Sequence, residues 1–359
     1  MNPAIPISLL RSLQITNQKE ACQLLPNGLI NQTWFCKSPL YPSPIVLQQI
    51  NTDVFKNPLA VINNHRVIHE TWLANHATHS FKIAAPLPFP DNKMLYLDSI
   101  GSTWRLQEFI DNTYSLTKPS TSTQLYNAAS CFGEFGKIMQ AINCQALSQT
   151  LENFHNLRYR YQQFQTALAT GNTIRIQEAA ILVKHLKNRI SYVEKFDSIT
   201  GSPQDFPLRI RHHDAKTANL LFEKSSNKIA AILDLDTTMP GYFFSDLGDM
   251  IRSMAGKTDE NHTNWEEIVI DEDAYNAILN GYQSAMENYA TKSENAFIHW
   301  SGVWIIYMQC LRFITDYFLD DTYYKIAYAR QNWDRAWNQF YLLTALEEHL
   351  QNKFNFIFP

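Results

Sequence analysis

No stretch of the 359-residue chain is apolar for long enough to span a bilayer. Its most apolar run, residues 303–314, is short and interrupted by Arg312, which predicts a buried helix and no membrane segment. The chain has no C-x-x-C pair. Its five cysteines (Cys22, Cys36, Cys131, Cys144 and Cys310) are odd in number and scattered, which argues against a zinc site or disulfide framework and for reduced thiols. Basic residues do not cluster among aromatics and the formal charge of -4 is modest, so no nucleic-acid partner is expected. The N-terminus lacks the positive start and long apolar core of a secretory signal, and a cytoplasmic protein is expected. Internal repeats and low-complexity segments are also missing.

What is present suggests two lobes, because the length exceeds one typical domain. Aromatic residues make up 13% of the chain, which favours large buried cores. Residues 33–36 and 45–50 read as strands around a proline-rich turn. Residues 59–77 carry a helical apolar stripe through Val61, Ile62, Ile68 and Leu73. Segments 81–84, 94–97 and 104–110 supply three more strands, two of them joined by a turn at Asp91-Asn92-Lys93. From about Tyr114 the pattern turns helical. It predicts one helix over residues 125–142, a second over 173–196, and further helices from Asp246 onward. The expected class is α+β, with a small antiparallel-sheet lobe over residues 1–106, a hinge at 107–113 and a large helical lobe over 114–359.

Between the predicted helices lies a stretch with chemistry in it. Residues 212–219 read His212-x-Asp214-x-x-x-x-Asn219, and an apolar strand then ends in Asp234. Residues 219–223 and 228–233 predict two antiparallel strands joined at Ser225-Ser226-Asn227. Such a hairpin brings Asn219 beside Asp234. Both offer hard oxygen ligands suited to magnesium between protein and nucleotide phosphates. Asp214 is placed to accept or orient the proton of an acceptor hydroxyl. A capping loop ahead of a hairpin is the plain structural alternative, and the strand ending in Asp234 favours the chemistry. His212 fits a bracing role. A second stretch, Asn27-Gly28-Leu29-Ile30-Asn31-Gln32-Thr33, enters a strand through a glycine that lets backbone N–H groups approach phosphates.

These residues and the order of the lobes resemble the aminoglycoside phosphotransferase and choline kinase superfamily, a branch of the two-lobed protein-kinase-like fold. The likeness is closer to the bacterial N-acetylhexosamine 1-kinases, through residues 28–33, 46–52, 154–156, 234–241, 246–252 and 312–317. The resemblance implies an ATP- and magnesium-dependent kinase of carbohydrate metabolism, acting on the anomeric hydroxyl of a free N-acetylhexosamine; the sequence leaves the oligomeric state open, a monomer included. It gives Asp214 the catalytic role, Asn219 and Asp234 the metal, and Thr237, Arg312 and Tyr323 the sugar pocket. Gly28, Asn31, Thr33, Gln48, Gln107 and Phe109 fall where the nucleotide would bind, residues 107–110 pairing with adenine through the backbone. His212, Lys216, Asp236 and Asp246 would support these groups.

Several positions keep two readings. Arg312 either meets a sugar oxygen or pairs with Asp316 one helical turn on. Asp246 and Asp249 either cap a helix or brace the catalytic loop. Trp304, Trp333 and Trp337 either stack on a sugar or fill the core. Two departures from the resemblance stand out. Neutral Gln48 occupies the position where the kinase fold normally carries a Lys or Arg, as it does in the closer family, and Leu29 replaces a sugar-contacting His. An amino alcohol or aminoglycoside acceptor is the competing enzymatic reading. A non-catalytic nucleotide-binding scaffold is the other.

Overall fold

The computed structural model describes residues 4–25, 30–75, 80–118, 121–226 and 228–359. It divides into two compact units. The first comprises Met1–Thr117, Ile138–Glu152 and Ala218–Pro240; the second comprises Lys118–Lys137, Asn153–Thr217 and Gly241–Pro359.

The first unit is built on a sheet with the strand order Cys22–Leu25, Gln32–Cys36, Ile45–Ile50, Thr103–Glu108 and Pro86–Leu87, with Tyr96–Leu97 also paired to Thr103–Glu108. All these pairings are antiparallel. Side chains alternate between faces of a strand, so Trp34, Leu47, Trp104 and Leu106 share a core that also takes Leu9 and Leu10 of the helix Ile7–Ser12. The opposite face carries the cross-strand row Thr33, Gln48 and Arg105, each directly opposite the next. Helix Pro58–Ala74 starts where Asn57 accepts the backbone N–H of Ala60 and Pro58 supplies a preset first turn. Of the helix expected over 59–77, residues 76 and 77 lie outside the described residues.

A second sheet in this unit contains the predicted hairpin. Leu220–Glu223 and Ile229–Ile232 pair antiparallel, with a bulge between Leu221 and Phe222. Thr113–Ser115 adds to one side, in a stretch expected to be turning helical, and Lys82–Ile83 runs parallel on the other. The strand expected at 81–84 is therefore only two residues long and belongs to the hairpin's sheet.

The second unit is helical. Its central helix, Trp300–Phe318, is apolar nearly all round because helices Leu157–Thr170, Phe244–Met254 and Gln331–Phe354 cover it. Two glycines set one of these crossings. A Cβ at Gly248 would stand 2.4 Å from the Ser301 carbonyl oxygen, and one at Gly302 would stand 2.7 Å from Ile251, so larger side chains would push the two helices apart. Trp304 lies fully buried in this core and donates to the Tyr192 carbonyl oxygen at 3.1 Å. Trp333 packs at a tilt against Tyr317 and Trp337 stacks with Trp265, so all three tryptophans pack within the protein.

The single helix expected over residues 173–196 is three: Thr173–Glu178, Ala180–Lys187 and Ile190–Thr200. The chain leaves helical geometry at Ala179 and again at Arg189, while Ala179, Leu182, Leu186 and Val193 remain buried. Burial continues across the breaks, so the apolar period gave no sign of them. Helix Leu157–Thr170, capped by the Asn156 side chain, had no predicted counterpart. The helix predicted over 125–142 covers Ser122–Ile138 and passes into a short 3-10 turn, Met139–Ala141.

Candidate functional site

Asp214 lies in a loop of the second unit held by buried hydrogen bonds. The backbone N–H groups of His212 and His213 donate to the two carboxylate oxygens of Asp246, at 3.2 and 2.8 Å. Asp246 is fully buried in the first turn of Phe244–Met254, but the residue preceding that helix is Phe243. Its carboxylate therefore braces the loop and does not cap the helix. The His212 ring sits edge-on to Phe132 and Phe135, and its Nδ1 accepts the backbone N–H of Asp214 at 3.3 Å. His213 adopts a left-handed backbone with φ 64°. Its ring fills the space a Cβ at Gly241 would take, 2.3 Å away, which explains the glycine there. The result is a fixed, half-buried Asp214 carboxylate, with Lys216 Nζ at 2.8 Å.

This carboxylate lines a cavity of about 130 Å³. Asp249, Arg252, His155, His213, Arg312 and Gln309 supply polar walls, while Phe154, Ile305, Met308 and Tyr324 are largely apolar. Burial pushes the Asp249 carboxyl up to about 7, with Arg252 pulling it down and Asp214 adding to the rise. Arg252 reaches Asp249 at 3.4 Å and Glu260 at 2.9 Å. His155 stands 3.9 Å from Asp249 and 3.3 Å from the His213 Nδ1. Burial first, then His213 and Arg312, hold the His155 imidazole well below its ordinary pKa, so it is neutral at pH 7.

Arg312 settles one of the open readings. Its guanidinium lies over Phe154, Tyr324 and Tyr323, with centroid distances of 5.1, 5.5 and 5.9 Å, and donates to Gln309 at 2.9 Å. Asp316 is otherwise engaged: it accepts from the backbone N–H groups of Tyr323 and Tyr324 and from Asn332 Nδ2. Among the described residues no ion pair joins Arg312 to Asp316. Tyr324 lines the cavity, whereas Tyr323 is largely exposed and stacks edge-on against Tyr324.

In the first unit the hairpin delivers Asn219 and Asp234 together. The backbone N–H of Leu233 donates to the Asn219 carbonyl at 2.8 Å, extending the ladder to the hairpin's open end. Asp234 then turns the chain through a left-handed conformation, φ 58° and ψ 58°, which leaves it exposed while Asn219 is buried. A left-handed non-glycine residue costs on the order of 1 kcal/mol and is kept where surrounding contacts enforce it. Among the described residues no group of three or more His, Cys, Asp or Glu could hold a metal. Two protein oxygens with the remaining positions left to phosphates and water are nevertheless what magnesium takes at nucleotide sites, so this donor set fits. Thr237, also buried, follows in the 3-10 turn Leu235–Thr237.

Among the remaining nucleotide candidates in the described part of this unit, Thr33, Gln48 and Gln107 are tied to one another. Gln48 Nε2 donates to Thr33 Oγ1 at 2.9 Å, while its Oε1 accepts from Arg105 Nε at 2.9 Å and Gln107 Nε2 at 3.2 Å. Asn31 donates to Asp236 at 2.7 Å and accepts from the backbone N–H of Asn51 at 2.9 Å. Phe109 sits edge-on to Phe35 at 4.8 Å. Gly28 and Leu29 lie outside the described residues. Sequence reasoning missed Arg105, His155, Arg252, Gln309 and Tyr324 as site groups. His155 and Arg252 carried a signal, through their places in the stretches 154–156 and 246–252.

Residues 21–289 match the APH phosphotransferase enzyme family. The chain belongs to this family. Its enzymes transfer phosphate to an alcohol, and the chain is accordingly a phosphotransferase. Solved structures extend the agreement to the fold. An aminoglycoside phosphotransferase from Alicyclobacillus acidocaldarius aligns with a TM-score of 0.60 at 10% identity, over 98% of each chain. A microcompartment-associated aminopropanol kinase gives 0.62 at 14% identity, over 92% of this chain and 93% of its own. A spectinomycin phosphotransferase in complex with ADP and spectinomycin gives 0.59 at 11% identity, over 96% and 100%. The α+β, two-lobed kinase-like fold expected from the sequence is thereby established. Among the described residues no helix is long and apolar enough to cross a membrane.

Proposed function

We propose that this phosphotransferase is an ATP- and magnesium-dependent sugar 1-kinase, with the anomeric hydroxyl of a free N-acetylhexosamine as acceptor. The observation that carries the reading is the placement of Arg312. A cationic amino alcohol would need acidic groups and open aromatic faces around its ammonium. The rings facing Arg312 are already covered by its guanidinium, and the same cavity holds Arg252. The acids there are engaged as well, Asp214 by Lys216 and Asp249 by Arg252. A neutral, hydroxyl-rich acceptor meets no such repulsion, and its oxygens can accept from a planar guanidinium fork. The run Asp234-Leu235-Asp236-Thr237-Thr238-Met239-Pro240-Gly241 supports the anomeric position through its likeness to the 1-kinases.

In this reading Asn219 and Asp234 would hold the magnesium ion, whose charge offsets that of the nucleotide phosphates. Asp214 would orient the acceptor hydroxyl and take its proton. The acceptor oxygen bonds to the γ-phosphorus as the bond from that phosphorus to the ADP oxygen breaks. Residues 107–110 would offer backbone groups to adenine, and Arg312 would contact the sugar.

The test is a panel of free hexoses, N-acetylhexosamines, amino alcohols and aminoglycosides with ATP consumption as the readout, followed by phosphorus NMR of the product. Turnover of an N-acetylhexosamine with a 1-phosphate product is expected. Turnover confined to amino alcohols or aminoglycosides would overturn the sugar assignment.

A further inference from the structure

The missing cation at position 48 has a counterpart one strand away. In protein kinases a strand lysine and a helix glutamate form an ion pair that must be in place for activity. Here the strand position is Gln48, and helix Pro58–Ala74 points Asn64 and His65 inward. Neither brings a negative charge: Asn64 donates to the carbonyl oxygens of Ser148 and Thr238, and His65 meets the Ala84 carbonyl oxygen at 2.8 Å. Burial, reinforced by Arg105, pushes the His65 imidazole down to about 4.

The ion pair has moved to Arg105 and Asp236. Arg105 stands directly opposite Gln48 on the adjoining strand, and its Nη1 is 2.6 Å from Asp236 Oδ1. Both side chains are almost completely buried, at 1% and 2% exposure. The Nη1 N–H groups do not point along a good hydrogen bond, so charge attraction is what joins the pair. The other Asp236 carboxylate oxygen accepts from Asn31, and its backbone carbonyl accepts from Thr150 at 2.5 Å. Asp236 lies two residues beyond Asp234, in the turn entered through the left-handed Asp234 backbone. The sheet thus grips, through a buried charge, the segment that presents the candidate metal ligand.

We propose that Arg105 and Asp236 are positioning residues that hold the Asp234 segment in its cation-binding conformation, doing through the metal ligand what a lysine at position 48 does through the phosphates. This rests on the magnesium–nucleotide reading above. Groups that orient metal ligands typically change metal affinity by roughly 10- to 100-fold when removed.

The experiment uses the full chain and titrates ADP binding by calorimetry, without magnesium and over a series of magnesium concentrations, with far-UV circular dichroism as a folding control. The test variants are the double replacement Arg105→Gln with Asp236→Asn, which leaves no unpaired charge, and Arg105→Lys, which keeps the charge but loses the fork. In the double variant the half-saturating magnesium concentration should rise on the order of tenfold, with metal-free ADP affinity within about twofold of the original. Arg105→Lys should fall between, and it decides the matter if the double variant does not fold. Unchanged magnesium dependence in a folded variant overturns the proposal. An equal loss with and without magnesium also overturns it, pointing to a general structural role or a direct phosphate contact. Failure of the unmodified chain to bind magnesium–ADP would instead sink the nucleotide reading itself.

Discussion

The two units handle buried charge in opposite ways. In the first, Arg105 and Asp236 are paired, and Gln48, Asn31 and Gln107 supply neutral hydrogen-bonding neighbours around them. In the second, Asp249, His155 and Arg312 surround a cavity with looser partners, and burial pushes Asp249 and His155 toward their neutral forms. A closed network fixes geometry, because each member would be costly to leave unpaired. An open one keeps polar groups for a ligand and permits protonation to respond to it. The first arrangement suits a scaffold for metal ligands, and the second suits recognition of an acceptor.

The largest expected effect tests the open side. Asp214→Asn keeps the shape of the cavity but removes the proton acceptor. Turnover should fall by roughly 10²- to 10⁴-fold, with ADP affinity little changed. A variant that retains full turnover would show that the Asp214 carboxylate has no part in the chemistry.

The closed side should respond in stability. Arg105→Met leaves the Asp236 carboxylate buried without its cation, which typically costs about 3–5 kcal/mol. Removing both charges in Arg105→Met with Asp236→Leu should cost far less, because the desolvation of both ions is relieved together. Urea unfolding of the two variants measures the difference. If single and double replacements are equally destabilising, the pair is not a coupled unit. The comparison also predicts that Gln48→Lys cannot restore a conventional arrangement. It would remove the acceptor of Arg105 Nε and place an ammonium against the guanidinium.

This contrast explains what could be read from the sequence. The hairpin holding Asn219 and Asp234 was legible because its residues are close in the chain and its turn and apolar strands are local signals. The bracing of the Asp214 loop by Asp246 was anticipated only as one of two roles, since an acid at the start of a helix reads equally well as a cap. Arg105 was invisible. In a strand running Thr103-Trp104-Arg105-Leu106, an alternating arginine looks solvent-facing, and only the cover over the second face buries it. The three helices between Thr173 and Thr200 were merged for the opposite reason: their apolar residues stay buried across each break. Gln48 stood out as a neutral residue where the kinase fold carries a cation, but Arg105 beside it lies 57 residues away across a strand pairing.

The smallest effect concerns protonation on the open side. Asp249 keeps its proton in the fold up to about pH 7, against an ordinary value of 3.8. Between those values the unfolded chain has lost a proton that the native chain retains. The stabilisation from this group is therefore full below pH 3.8, declines as pH rises and is gone above about 7. His155 acts in the other direction, because below its ordinary value of 6.5 the unfolded chain binds a proton that the buried imidazole refuses. The other charged groups facing Asp249 are Arg252, Asp214 and Lys216. Replacing Asp249 with Asn removes the first contribution and retains the second. The melting temperature of Asp249→Asn relative to the unmodified chain should therefore rise between pH 5 and pH 8, by on the order of a few degrees. A difference that stays constant across that range would mean that Asp249 is already ionised in the fold at pH 5.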